Sequence, residues 1–518
     1  MRVVMAQRNP LVGDIEGNAD AVVAAAREAR NLLGAELVVF PELVLTGYPP
    51  EDLLLRPSLN GRVDDALAHI GERIEVPVVL GYPAVRNGVR RNAAGVLFPG
   101  DSRPRHEYFK QCLPNYRVFD EKRYFQPGDQ SCVFELGRER LAITICEDIW
   151  FEGPAAQAAR DGATCIVNLN ASPFRAGKPG ERRDQVCARA RETGLPVLYC
   201  NLVGGQDELV FDGASFVVDG EAGVCVQGAS FEEALVPVDL GREGGALKVR
   251  GEVLPVPEDE ESLYRALVLA TRDYVNKNGF KGALLGLSGG IDSAVTSTLC
   301  ALTGMPTLCV DMPIHQGPDQ VGRAANHVEW LCGRHPLVRR STVSLTEVYD
   351  LFAVSLPDGP DASQGLAMAN SRARLRMTTL YALAQRRRAL VVGTGNKVED
   401  FGVGFYTKYG DGGVDLSPIA DLVKTEVFAL GAHLGVGKDI LDAPPTDGLW
   451  GDDRTDEDQL GASYDELEWA MKMMEEGKNS SDFSGREKVV FDIYKKLNRA
   501  NQHKMLPIPI CEIPKELR

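Results

Sequence analysis

The sequence predicts an α/β protein built in two parts, and three observations carry that prediction. Strand-like apolar runs alternate with helix-length segments from residue 3 onward. The alternation lapses between residues 241 and 261, first into Gly-Arg-Glu-Gly-Gly and then into Pro255-Val256-Pro257-Glu258-Asp259-Glu260-Glu261. It resumes from Ser262 with the strand-helix-strand rhythm of a doubly wound parallel sheet. A chain of 518 residues is also too long for one ordinary core, because domains average about 150 residues. The expected division is residues 1–245, a linker at 246–262, and residues 263–518.

Taken in order, residues 3–7 read as a strand. Asn18 is a favourable N-cap for a helix over 19–33, where Ala21, Ala25, Ala29 and Leu32 recur at helical spacing and Gly34 supplies the stop. Further strands are expected at 37–40, 76–81, 95–98, 141–146, 165–168 and 197–201, followed by a β-rich tail over 214–238. In the second part the strands fall at 283–287, 307–311 and 389–393. Sheets of this kind bind ligands beyond the carboxyl ends of their strands, which is where Ser288 lies.

Bulk properties narrow the function. A net charge of -16 argues against general affinity for nucleic acid or anionic membrane, since both rely on clustered basic side chains. No apolar run reaches the roughly 18 residues of a membrane span, and the N-terminus lacks the layout of a signal peptide, so a cytoplasmic protein is expected. The eleven cysteines form no C-x-x-C pair and no zinc spacing. Most read as small buried hydrophobes in a reducing compartment.

The most informative stretch is Ser288-Gly289-Gly290-Ile291-Asp292-Ser293, which follows the strand ending Gly286-Leu287. Glycines let the backbone approach an anion, serine hydroxyls donate to it, and the opening helix aims free N–H groups at the same spot. No G-x-x-x-x-G-K-[ST] loop occurs in the chain. The stretch resembles instead the pyrophosphatase-type (PP-loop) sequence SGGxDS, in which ATP is split between its α and β phosphates.

Three fragments stand out in the first part: Phe40-Pro41-Glu42, Phe109-Lys110-Gln111-Cys112 and Ile145-Cys146-Glu147-Asp148. A free thiol is mostly protonated at neutral pH, so Cys146 needs a base, for which Glu42 is the candidate. A cationic Lys110 would stabilise first the thiolate and then an oxyanion. Together these residues resemble the Glu-Lys-Cys triad of the nitrilase superfamily of amidases. The resemblance spans residues 1–240 and implies an αββα sandwich; Glu121 would position Lys110. Residues 113–121 resemble the glutaminase branch joined to NAD synthetases, which implies that Tyr116, Ser172 and Lys178 recognise L-glutamine.

A second signature covers 392–400 and 404–418, including Gly404-Phe405-Tyr406-Thr407-Lys408-Tyr409-Gly410-Asp411. It resembles that of NAD synthetases, and the order of the two halves resembles the glutamine-dependent members of that family. The resemblance implies a ligase that adenylates the nicotinate carboxylate of deamido-NAD with ATP and displaces AMP with ammonia from glutamine. It assigns Thr394, Lys424 and Thr446, with residues 286–293, to ATP. Asn370, Glu399, Lys408, Asp415 and Lys504, with His503 as a weaker candidate, go to deamido-NAD, and Asp292 and Glu399 to Mg²⁺. Dimers or larger homo-oligomers are implied as well. Two alternatives stand beside this reading: another PP-loop amidotransferase with a different acceptor, and a catalytically silent nucleotide-binding regulator.

Overall fold

The structure, a computed structural model, describes residues 1–357, 365–446 and 455–514. It forms two compact units, Met1–Tyr274 and Val275–Arg518.

In the first unit two sheets stack face to face. The seven-stranded sheet runs in the order Ala246–Arg250, Ala234–Glu243, Arg2–Gln7, Leu37–Val39, Val78–Arg86, Val89–Leu97, His106–Phe109. The six-stranded sheet runs Val224–Gln227, Phe216–Val218, Val197–Asn201, Cys165–Asn170, Glu139–Ile145, Cys132–Leu136. Alternation along the strands sorts the side chains. Val3 and Met5 meet Ile143, Ile145 and Val167 between the sheets, whereas Val4, Ala6 and Val38 face out to the helices Ile15–Leu33 and Ser58–Arg73. Helices Glu152–Arg160 and Lys178–Thr193 cover the outer face of the second sheet. The layers are therefore helix, sheet, sheet, helix, as the resemblance implied.

Two local expectations need correction. The first helix starts at Ile15, not Ala19, because Asp14 caps it by accepting from Gly17 N at 3.2 Å. Asn18 lies inside the helix, and its buried amide ties down the chain through Leu11 and the carbonyl of Leu45. Gly34 does end the helix in the left-handed region (φ 68°). The second correction concerns the linker. Ala246–Arg250 pairs antiparallel with Ala234–Glu243 across a Gly244-Gly245 turn, and a helix opens at Asp259, so only 251–258 lies between those elements. Glycines and charges there mark a tight hairpin and an acidic first helical turn, features that composition cannot tell from a linker.

The second unit is doubly wound. Its parallel sheet has the order Val338–Thr342, Thr307–Asp311, Ala283–Leu287, Leu390–Val391. Leu284, Val310 and Val391 feed the core on one face, and Ala283, Leu285 and Cys309 the core on the other. Among the described residues no helix is long and apolar enough to cross a membrane.

Candidate active sites

Glu42, Lys110 and Cys146 each leave the end of a strand or begin the turn after it, and the first unit brings them together. Close approach of the Glu42 turn depends on Gly81, where a Cβ would meet Leu43 N at 2.3 Å. Lys110 Nζ donates to Glu42 Oε1 at 2.7 Å and to Glu121 Oε1 at 2.8 Å, with the lysine side chain fully buried. Asn92 Nδ2 (2.8 Å) and Ala171 N (3.0 Å) fix the Glu42 carboxylate from two further sides. Tyr48 donates to Glu121 at 3.0 Å.

Cys146 follows the strand Glu139–Ile145 with φ 44°, a left-handed conformation that costs a non-glycine residue about 1 kcal/mol or more. Asp148 holds that turn. Its buried carboxylate accepts from Ile145 N, Gln111 N, Cys112 N and the Tyr108 hydroxyl, at 2.9, 3.0, 2.8 and 2.8 Å. One side chain thereby joins the Cys146 turn to the segment just after Lys110.

Electrostatics follow from burial. Burial, then the Glu42 charge, pushes the Cys146 thiol well above its ordinary range, and Lys110 opposes both. Burial works against the Lys110 ammonium too, but Glu121 and Glu42 outweigh it and hold Lys110 well above the usual lysine range. Burial raises Glu121 to about 7 against the pull of Lys110. The resting thiol is thus neutral and sits beside an ionised lysine.

The three residues expected to recognise glutamine lie in the same unit. The Tyr116 hydroxyl donates to Glu147 at 2.9 and 3.1 Å, next in sequence to Cys146. Lys178 stacks its ammonium 3.8 Å from the centre of the Trp150 ring, and burial, then Arg182, lowers its affinity for a proton. Ser172 is buried, and its hydroxyl accepts from Arg182 Nε at 3.0 Å, while Arg182 forms a two-pronged ion pair with Asp212 at 2.6 and 2.7 Å. Sequence reasoning missed Asn92, Asp148, Glu147 and the Arg182–Asp212 pair. The only available signal was the run of acids after Cys146.

In the second unit the strand Ala283–Leu287 empties through Ser288-Gly289-Gly290 into the helix Ile291–Leu302. The loop is pre-shaped: Ser288 N donates to Ser293 Oγ at 3.3 Å, Gly290 N to Ser288 Oγ at 3.2 Å, and Ser293 Oγ to Gly290 O at 3.1 Å. It lines a cavity of about 260 Å³ together with every residue assigned to ATP: 286–293, Thr394, Lys424 and Thr446.

Asp292 and Glu399 converge there on one cation. Lys424 Nζ donates to Asp292 Oδ2 at 2.6 Å and to Glu399 Oε1 at 2.9 Å. A π-helical turn over Lys397–Val403, capped by Asn396, delivers Glu399, and Asn396 also donates to Asp292 at 3.0 Å. Tyr464 donates to Glu399 at 2.5 Å. Burial raises the Asp292 carboxyl against Lys424; burial acts on Glu399 too, yet Lys424 and Tyr464 hold that carboxyl below its ordinary value. Asn396 and Tyr464 were not expected from sequence.

Of the residues assigned to deamido-NAD, Glu399 lines this cavity; Asn370, Lys408, Asp415, His503 and Lys504 are not among its lining residues and bond to the protein's own groups. Asn370 accepts from Thr407 Oγ1 at 2.6 Å. Lys504 donates to Gly404 O and Tyr406 O at 2.7 and 2.8 Å, and Lys408 donates to His503 O. Asp415 accepts from Tyr381 at 2.9 Å and from Val391 N at 2.9 Å. His503 donates to Ala500 O at 3.2 Å.

A buried Glu-Lys-Cys constellation in an αββα sandwich and a phosphate-type loop in a doubly wound sheet define an amidase-like unit joined to a nucleotide-binding unit. Comparison with known proteins agrees: residues 2–246 match the carbon-nitrogen hydrolase family and residues 263–507 the NAD synthase family. The chain is similar to the glutamine-dependent NAD(+) synthetase of Xanthomonas campestris pv. campestris, with 36% identity over 93% of this chain and 88% of that one. It is 34% identical to that of Acinetobacter baylyi over 97% and 94% of the two chains. The solved structure of the Acinetobacter baumannii glutamine-dependent NAD+ synthetase in complex with ADP superposes with a TM-score of 0.80 at 32% identity, covering 99% of this chain and 95% of that one. The chain belongs to the glutamine-dependent NAD(+) synthetase family.

Proposed function

We propose that this chain makes NAD from deamido-NAD, ATP and L-glutamine, with residues 1–245 releasing ammonia and residues 263–518 consuming it. The observation that carries the reading is the presence, in one chain, of both an intact buried triad and an intact phosphate loop facing a cavity.

In the glutaminase unit the Cys146 sulfur attacks the side-chain amide carbon while Glu42 takes the thiol proton. The negative charge that develops on the amide oxygen falls within the field of the Lys110 ammonium. Collapse of the tetrahedral adduct breaks the C–N bond; ammonia leaves with the proton from Glu42, and water then cleaves the thioester to glutamate. Glu147 and Lys178 offer opposite charges beside Cys146, which suits the α-ammonium and α-carboxylate of the substrate.

In the synthetase unit the nicotinate carboxylate attacks the α-phosphorus of ATP and pyrophosphate departs. Ammonia then displaces AMP from the adenylated carboxylate. Activation is needed because a free carboxylate is a poor electrophile. The Asp292 and Glu399 oxygens already face one cation, Lys424, and match the hard-oxygen preference of Mg²⁺, so they are the residues that would hold it. Among the described residues no cluster of three or more acids, histidines or cysteines could hold a metal, so phosphate oxygens and water would complete its shell. When bound, Mg²⁺ offsets charge on the phosphates. A homo-oligomer that works outside the membrane belongs to the same reading.

Pyrophosphate release from ATP with deamido-NAD tests this, with glutamine and ammonium supplied in turn. The expected result is release with either nitrogen source, and a Cys146→Ala chain that loses glutamine-driven release by about 10³-fold or more yet keeps the ammonium-driven reaction at alkaline pH. Loss of both reactions in Cys146→Ala, or no release with deamido-NAD, would sink the reading.

A further inference from the structure

The helix Pro318–Arg334 backs directly onto the phosphate loop. Gly289 has φ 78°, and a Cβ there would meet Gln320 O at 2.5 Å, so loop and helix touch without an intervening side chain. Arg323 lies three residues beyond Gln320 and so on the same helix face. Its Nε donates to Gly289 O at 3.2 Å, and the side chain lines the cavity. Its two terminal nitrogens make no hydrogen bond or ion pair with any described residue.

That availability sets Arg323 apart. Three cations line the cavity among the described residues, against five carboxylates. Lys424 is bound to Asp292 and Glu399. Arg376 donates to Met312 O at 3.1 Å and to Gln316 Oε1 at 2.8 Å, and burial lowers its pKa to about 10. A triphosphate entering so acidic a cavity needs a cation with donors to spare. Lys424 is neutralised by two carboxylates, and Arg376 keeps its charge but has Nε and one terminal nitrogen committed, whereas both terminal nitrogens of Arg323 are open. The loop itself lacks the lysine that P-loop NTPases use for the terminal phosphates.

We propose that Arg323 is a further ATP-binding residue. With Nε anchored to the loop carbonyl, its planar fork presents both terminal nitrogens to the β- and γ-phosphates of ATP and then to the departing pyrophosphate. The inference rests on the loop's being an ATP site, and it separates the phosphate tail from the adenosine monophosphate part of the ligand.

Isothermal titration of the full chain with ATP, inorganic pyrophosphate and AMP tests it, using wild type, Arg323→Met and Arg323→Lys. In Arg323→Met, ATP and pyrophosphate should bind about 10-fold or more weakly, the loss of a charge-assisted pair, while AMP stays within about 2-fold. Arg323→Lys should recover part of the ATP affinity, because it restores the charge without the fork. Equal weakening of ATP and AMP in Arg323→Met would make Arg323 a loop staple and overturn the proposal, as would unchanged ATP binding. Failure of the wild-type chain to bind ATP would instead remove the ATP site on which the inference depends.

Discussion

Lys110 lies 2.7 Å from Glu42 and 2.8 Å from Glu121; Lys424 lies 2.6 Å from Asp292 and 2.9 Å from Glu399. Each unit thus sets an ammonium between two carboxylates, with a tyrosine hydroxyl on one of them, Tyr48 in the first unit and Tyr464 in the second. The surroundings differ. Around Lys110 the carboxylate side chains are 0% and 5% exposed, whereas Asp292 and Glu399 are 18% and 16% exposed and line a cavity. A sealed cluster holds its groups in place next to a nucleophile, so that Glu42 can take and return a proton while the Lys110 ammonium stays positioned. An open cluster can trade its internal cation for one brought by a ligand, and that suits a site whose substrate is a polyphosphate.

The sharpest way to break the comparison is to remove each lysine. Lys110→Met leaves two buried carboxylates unpaired, so glutamine hydrolysis should fall by about 10³-fold or more and stability by about 3–5 kcal/mol. Lys424→Met leaves its carboxylates in reach of water and should cost only about 1–2 kcal/mol, while pyrophosphate release is lost. Denaturant titration of the two variants checks this, and equal destabilisation would erase the distinction between sealed and open clusters.

A smaller effect separates the sealed cluster's members by pH. Burial raises the Glu121 carboxyl to about 7, so its charge appears only as pH rises through neutrality. With Lys110 held by Glu121 as well as Glu42, kcat/KM for glutamine should climb between about pH 6 and 8. Glu121→Gln cannot ionise. It should flatten that limb and lower the plateau by about 10–100-fold, the worth of one charged hydrogen bond. A pH profile unchanged in the variant would remove Glu121 from the chemistry.

The smallest change expected is at the open cluster. Tyr464→Phe removes one hydroxyl from Glu399 and leaves Lys424 in place, so KM for ATP at limiting Mg²⁺ should rise by about 3–10-fold with kcat little altered. A loss comparable to that of Lys424→Met would mean that the tyrosine holds the whole site together.

Legibility from sequence followed how local each signal is. The strand 197–201 and the stop at Gly34 were read correctly because each depends on a few adjacent residues. The edge strands His106–Phe109 and Cys132–Leu136 were missed, since short half-exposed strands carry little apolar pattern. Asn18 misled because a good capping residue was recruited to a buried tertiary role, and Asp14 capped the helix instead.

The sequence by itself singled out the candidate residues Glu42, Lys110 and Cys146 and the loop 288–293, because a glycine-serine turn after a strand and a cysteine at a strand end are written in consecutive residues. Only the tertiary structure decided which charges meet. Asn92 on Glu42, Asp148 beneath Cys146, Tyr464 on Glu399 and Arg323 behind Gly289 lie 50, 3, 65 and 34 positions from their partners along the chain. For Asp148 the measure is to Ile145, and even that pair depends on a left-handed turn at Cys146. Long-range pairs form where sheet register and helix packing set two side chains within about 3 Å, and no local pattern encodes that distance.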